Sequence, residues 1–104
     1  MDNSTVQNMA QNVRHYFDHD AAKKALKEKY EAKLLFAHGN GMWRAGPKLI
    51  STLRLWKLNE MVLVDEYGNP CKVDRPELER EAIMRWQEQM NAWYQEYESL
   101  RKER

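Results

Sequence analysis

The chain has one cysteine, Cys71, in 104 residues, so no internal disulfide can form and a reducing setting is expected. It has no long apolar run either. The longest are four residues each, Leu34-Leu35-Phe36-Ala37 and Met61-Val62-Leu63-Val64, far short of the about 20 that a membrane-crossing helix needs. Met1-Asp2-Asn3-Ser4-Thr5 lacks the basic start and apolar stretch of a secretory signal, so the cytoplasm is the expected location and no membrane is expected as a partner. Also missing are a Gly-rich phosphate loop, an HExxH helix, a nucleophile elbow and any low-complexity linker. The chain therefore reads as a non-enzymatic protein with no cofactor.

What is present suits one small folded unit. At 42% hydrophobic and 32% charged residues the chain is too apolar for disorder, and 104 residues is the size of a single domain, 1–104. Net charge is only +1 but is unevenly spread. From Ala21 to Lys57, nine Lys/Arg face Glu28 and Glu31, a balance of +7; from Leu58 to Leu100, ten acids face four bases, a balance of −6. Such asymmetry marks either a surface for an acidic partner or two faces that neutralise each other.

Periodicity outlines the elements. Val6, Met9, Val13 and Tyr16 recur at helical spacing, with Asn3 or Ser4 available as a cap. Asp18-His19-Asp20 either breaks that helix or caps a second one carrying Ala22, Ala25, Leu26 and Tyr30, so residues 4–31 form a helical region. Leu34–Ala37, Gly39-Asn40-Gly41 and Met42-Trp43-Arg44 spell a hairpin, because Gly and Asn tolerate positive φ. Pro47 then opens a short helix whose buried face is Leu49, Ile50, Leu53 and Trp56, ending near Lys57. Met61–Val64, the turn Tyr67-Gly68-Asn69-Pro70 and Cys71–Val73 make a second hairpin, so the two hairpins and the short helix occupy 32–73. The expected class is α+β: a small antiparallel sheet from two β-hairpins with flanking helices and a long C-terminal amphipathic helix over 75–103.

That last helix is well specified. Asp74 suits its cap, Pro76 its first turn, and Glu77, Glu79 and Glu81 its positive end, while Arg101 and Lys102 sit at its negative end. Ile83, Trp86, Met90, Trp93, Tyr97 and Leu100 follow alternating spacings of three and four, a seam built to meet another helix. At roughly 43 Å the helix is longer than a domain of this size, about 33 Å across, so its last turns need a cover. The candidate covers are the Val6-Met9-Val13-Tyr16 stripe of the same chain and a second copy. The seam is the expected interaction site, making the chain a self-associating homodimer or the dock of a protein partner.

Other chemistry is weaker. His15 and His19 lie one helical turn apart near Asp18 and Asp20, but a structural zinc site needs four ligands, and surface histidines explain the pair. Cys71 in a strand reads as a small buried hydrophobe, and Asp65-Glu66 as solvated charges flanking a turn. The alternative function is a nucleic-acid-binding accessory protein, with Lys23, Lys24, Lys27, Arg44, Lys48 and Arg54 of the basic segment 21–57 on phosphates and Trp43 or Phe36 stacking on a base.

Gly41-Met42-Trp43-Arg44-Ala45-Gly46-Pro47-Lys48-Leu49-Ile50, Val62-Leu63-Val64-Asp65-Glu66-Tyr67-Gly68-Asn69-Pro70 and Met90-Asn91-Ala92-Trp93 together resemble small uncharacterised proteins of T4-type bacteriophages, including those of cyanobacteria. The resemblance spans residues 30 to 100. It implies a viral protein acting in an infected host cell or in the virion by binding host or phage machinery, and it carries no catalytic residue across.

Overall fold

A computed structural model describes residues 19–102. Helix α1 is described over 19–33, followed by strands β1 (Leu35–His38) and β2 (Gly41–Arg44), helix α2 (Pro47–Leu55), strands β3 (Glu60–Val64) and β4 (Pro70–Asp74), and helix α3 (Arg75–Lys102). This is the α+β arrangement expected from the sequence. The stripe from Val6 to Tyr16, its caps Asn3 and Ser4, and His15 lie outside the described residues. No described helix is long and apolar enough to cross a membrane.

Both hairpins are antiparallel, with Phe36 opposite Trp43 in the first and Val62 opposite Lys72 in the second. Gly39 (φ 59°) and Gly68 (φ 82°) take the left-handed positions of the two turns, which side chains disfavour. The hairpins remain separate two-stranded sheets rather than one four-stranded ladder. They are tied together where β2 meets the β3–β4 turn: the Glu66 amide donates to the Met42 carbonyl at 2.8 Å, and the Met42 amide donates to Asp65 Oδ2 at 3.0 Å.

Asp65 corrects the expectation of a solvated turn charge. It is buried, and its other carboxylate oxygen accepts from the amides of Tyr67 (3.0 Å) and Asn69 (2.9 Å), so one side chain shapes the β3–β4 turn and ties it to β2. These amide donors, Asn69 first, then Met42 and Tyr67, hold its carboxyl below the usual range against the opposing effect of burial.

The core lies between the inner faces of the hairpins, α2 and the first half of α3. Leu53 and Leu78 are fully buried, with Phe36, Trp43, Ile50, Val73 and Ala82 around them. Complete burial of Leu78 and Ala82 places the innermost line of α3 one turn ahead of the aromatic seam, where small and aliphatic side chains let α3 approach α2. At the start of α3, Asp74 accepts from the Glu77 amide (3.2 Å), as its capping role requires. Helix α2 ends at Leu55, and Trp56 is not on its buried face: it is 46% exposed, and its indole donates to the Glu60 carbonyl (3.0 Å). The extended backbone of Trp56 turns the ring out of the helical register and along the start of β3.

Candidate interaction surfaces

The seam of α3 is occupied from within the chain. Ile83, Trp86 and Met90 pack on the core, while Trp93 stacks on Tyr30 of α1 with centroids 6.2 Å apart and planes 6° from parallel. Further along, Leu100 shares a shallow cleft of about 270 Å³ with Ala22, Leu26, Glu96 and Ser99, and Tyr97 is half-buried. Pairing of Tyr30 with Trp93 and of Leu26 with Leu100 means that α1 and α3 run antiparallel. The cover seen over these turns therefore comes from residues 22–30. Glu96 fastens it, accepting from Lys29 Nζ (2.7 Å) and from the Tyr30 hydroxyl, and these two donors lower its pKa, the Lys29 bond most.

Three of the six basic residues singled out above have carboxylate partners: Lys27 with Glu31 (3.8 Å), Arg44 with Glu66 (3.8 Å) and Arg54 with Glu79 (3.0 Å). Lys23, Lys24 and Lys48 are exposed. Lys23, Lys24 and Lys27 lie on α1 while Arg44 and Lys48 sit at the β2–α2 junction, and the carboxylates paired with Lys27, Arg44 and Arg54 interrupt the run of positive charge. Trp43 and Phe36 are buried in the core rather than offered to a base.

His19 departs from the expected surface position, being only 7% exposed, and among the described residues neither ring nitrogen has a hydrogen-bond partner. Among the described residues no group of three or more His, Cys, Asp or Glu is placed to hold a metal ion. Cys71 is buried, its thiol 3.5 Å from the Asn69 carbonyl. A further cluster joins the first hairpin to α3: His38 Nδ1 lies 2.5 Å from Glu81, Arg85 bonds the other Glu81 oxygen at 3.0 Å, and the Arg85 guanidinium lies over the Phe36 ring. Burial raises the Glu81 pKa, but the bonds and charges of His38 and Arg85 outweigh it and bring the group below the usual range.

Exposed apolar side chains are concentrated elsewhere. Of the nine large hydrophobic residues exposed among those described, six fall within residues 55–67: Leu55, Trp56, Leu58, Val62, Val64 and Tyr67. Val62 and Val64 (63% and 66% exposed) stand on the outer face of β3, opposite the inward Met61 and Leu63, while Tyr67 (72%) projects from the turn. Beside this stretch, a cleft of about 750 Å³ opens between β3 on one side and β2 with the start of α2 on the other, with Leu34, Trp43, Leu49, Leu63 and Trp86 along it and Arg44, Lys48 and Glu66 at its rim. Its size is typical of ligand sites. The alternation of Glu60-Met61-Val62-Leu63-Val64 carries the outer valines, but their exposure depends on no described element covering that face, which periodicity does not reveal.

No protein-family model, curated protein or solved structure matches this chain.

Proposed function

We propose that this chain is a non-enzymatic interaction protein that docks a protein partner through the apolar surface of residues 55–67. The observation that carries the reading is the concentration of six exposed large hydrophobics in thirteen consecutive residues. Scattered apolar side chains are normal on a surface, but Val62 and Val64 adjoin on one exposed strand face, and contiguous apolar surface is disfavoured unless it meets something. The seam of α3 supports the same role indirectly: its contacts with the core and α1 hold the hairpins and helices as one scaffold, so a partner meets a preformed surface.

A photo-cross-linking residue at Tyr67, introduced into the full chain in the cells that produce it, tests this. A discrete adduct with a protein is expected at that position and not at the exposed Lys24 on α1. Equal labelling at both positions, or none at Tyr67, refutes the reading.

A further inference from the structure

The register of the hairpins determines which backbone groups face outward. In an antiparallel pair, alternate residues bond their partner while those between direct their amide and carbonyl away. The Arg75 amide donates to the Asn59 carbonyl and the Asp65 amide to the Asn69 carbonyl. With Val62 opposite Lys72, this makes residues 59, 61, 63 and 65 the bonded set, so Glu60, Val62 and Val64 present their backbone groups to the far side of β3. In the first hairpin the Ala45 amide donates to Leu34, and the same alternation turns the backbone of Met42 and Arg44 outward from β2.

These two outward edges flank the same cleft, which Arg44 and Val64 both line. They meet at one end, where Met42 is bonded to Asp65 and Glu66, and then separate: no ladder joins β2 to β3. At the other end the Trp56 indole occupies the Glu60 carbonyl. Between these closures, among the described residues, the outward amides and carbonyls of Val62, Val64 and Arg44 have no hydrogen-bond partner. The edge of β4, by contrast, carries Pro70 and Lys72, residues that discourage strand addition.

We propose, building on the interaction role above, that this cleft receives an extended segment of a partner protein, which adds as a strand to the open edge of β3 at Val62 and Val64. The unpaired amides and carbonyls specify an extended backbone. Side chains specify apolar residues on both faces of the segment: those pointing in meet Trp43, Leu49, Leu63 and Trp86, and those pointing out lie beside the exposed Val62 and Val64. The cleft is walled on its other side by β2 and the start of α2, so it admits a single extended strand, whereas a strand of a second copy would bring its hairpin partner with it.

The probe is a capped peptide, Lys-Thr-Val-Leu-Val-Thr-Lys, titrated into the full chain with its backbone amides followed by NMR and hydrogen exchange. Saturable binding is expected, with slowed exchange at Val62 and Val64. N-methylation of the peptide's alternate amides is expected to weaken binding about tenfold, the effect of losing hydrogen bonds worth about 1.4 kcal/mol in total. Val64→Pro is expected to do the same while leaving the circular dichroism spectrum unchanged, because the Val64 amide lies outside the β3–β4 ladder and an edge strand tolerates proline there. Absence of saturable binding, or binding indifferent to both changes, overturns strand addition. So does a concentration-dependent doubling of mass that Val64→Pro abolishes, which would make the occupant a second copy. A Tyr67 adduct persisting in Val64→Pro would leave the interaction role standing and reject this mode of docking.

Discussion

Replacing Trp93 by Ala should detach α1 while sparing the hairpins. The indole lies parallel to the Tyr30 ring with centroids 6.2 Å apart and is half-buried. Its stacking is worth about 0.5–1.5 kcal/mol beyond area. Removing roughly 100 Å² of apolar contact, about half a tryptophan, at about 25 cal/mol per Å² loses about 2.5 kcal/mol more. The total of roughly 3–4 kcal/mol is near the lower end of the about 3–5 kcal/mol seen for buried aromatic truncations. Hydrogen exchange on the full chain reads it directly. Amides over residues 22–30 should exchange at least about a hundredfold faster, since each 1.4 kcal/mol is tenfold, whereas those of β3 and β4 should change much less. Unchanged exchange in α1 would refute the intramolecular cover. A loss that shrinks as protein concentration rises would refute it too, because mass action would then identify a second copy as what covers Trp93.

Leu78→Ala, at a fully buried position between α3 and the sheets, should destabilise the whole fold by about 2–5 kcal/mol through lost contact and a residual cavity, read as a lower urea midpoint at unchanged slope. Gly41→Ala should also destabilise, by about 1–3 kcal/mol, because a Cβ there would lie 2.8 Å from the Trp43 ring and 3.1 Å from Cys71 Sγ; a neutral outcome would mean that the indole can shift. Acid should weaken the fold in a defined direction. Asp65 and Glu81 both have folded pKa values below their ordinary ones, 3.8 and 4.5, so their contribution is present above those values and is lost as pH falls through the folded ones. Urea midpoints between pH 6 and pH 2 should therefore fall steeply at the acid end, and Asp65→Asn should flatten that fall; a parallel curve would exclude Asp65 from it.

Much of the fold was legible because several signals agreed on each element. Asp74, Pro76 and Glu77 defined the start of α3, and the seam gave its face. Gly39 and Gly68 marked turns that need positive φ. Less legible was what covered the end of α3, because Val6-Met9-Val13-Tyr16 and Ala22-Leu26-Tyr30 are both plausible helical stripes at this level. That Tyr30 reaches Trp93 depends on how the two hairpins and α2 return the chain alongside α1, which spacing within either helix does not encode. Trp56 departs from the helical face for a related reason. Continuing the helical period from Leu49 through Leu53 leads to it, but the helix ends one residue earlier and the period no longer applies.

The surface was the least legible part, and Asp65 shows why. As a sequence feature, Asp65-Glu66 beside Tyr67-Gly68 is an ordinary charged turn. In three dimensions the same carboxylate holds the amides of Met42, Tyr67 and Asn69, closing one end of the gap between the hairpins. It also fixes the register, and register assigns the backbone of Val62 and Val64 to the outside. A one-residue slip would reverse that assignment and would turn Met61 and Leu63 away from the core. The burial that makes the sheet fold and the direction of the open edge are therefore one choice. Side chains that stabilise the inner face of β3 leave the backbone groups of Val62 and Val64 on its outer edge, and a mutation cannot redirect the edge without also exposing the core.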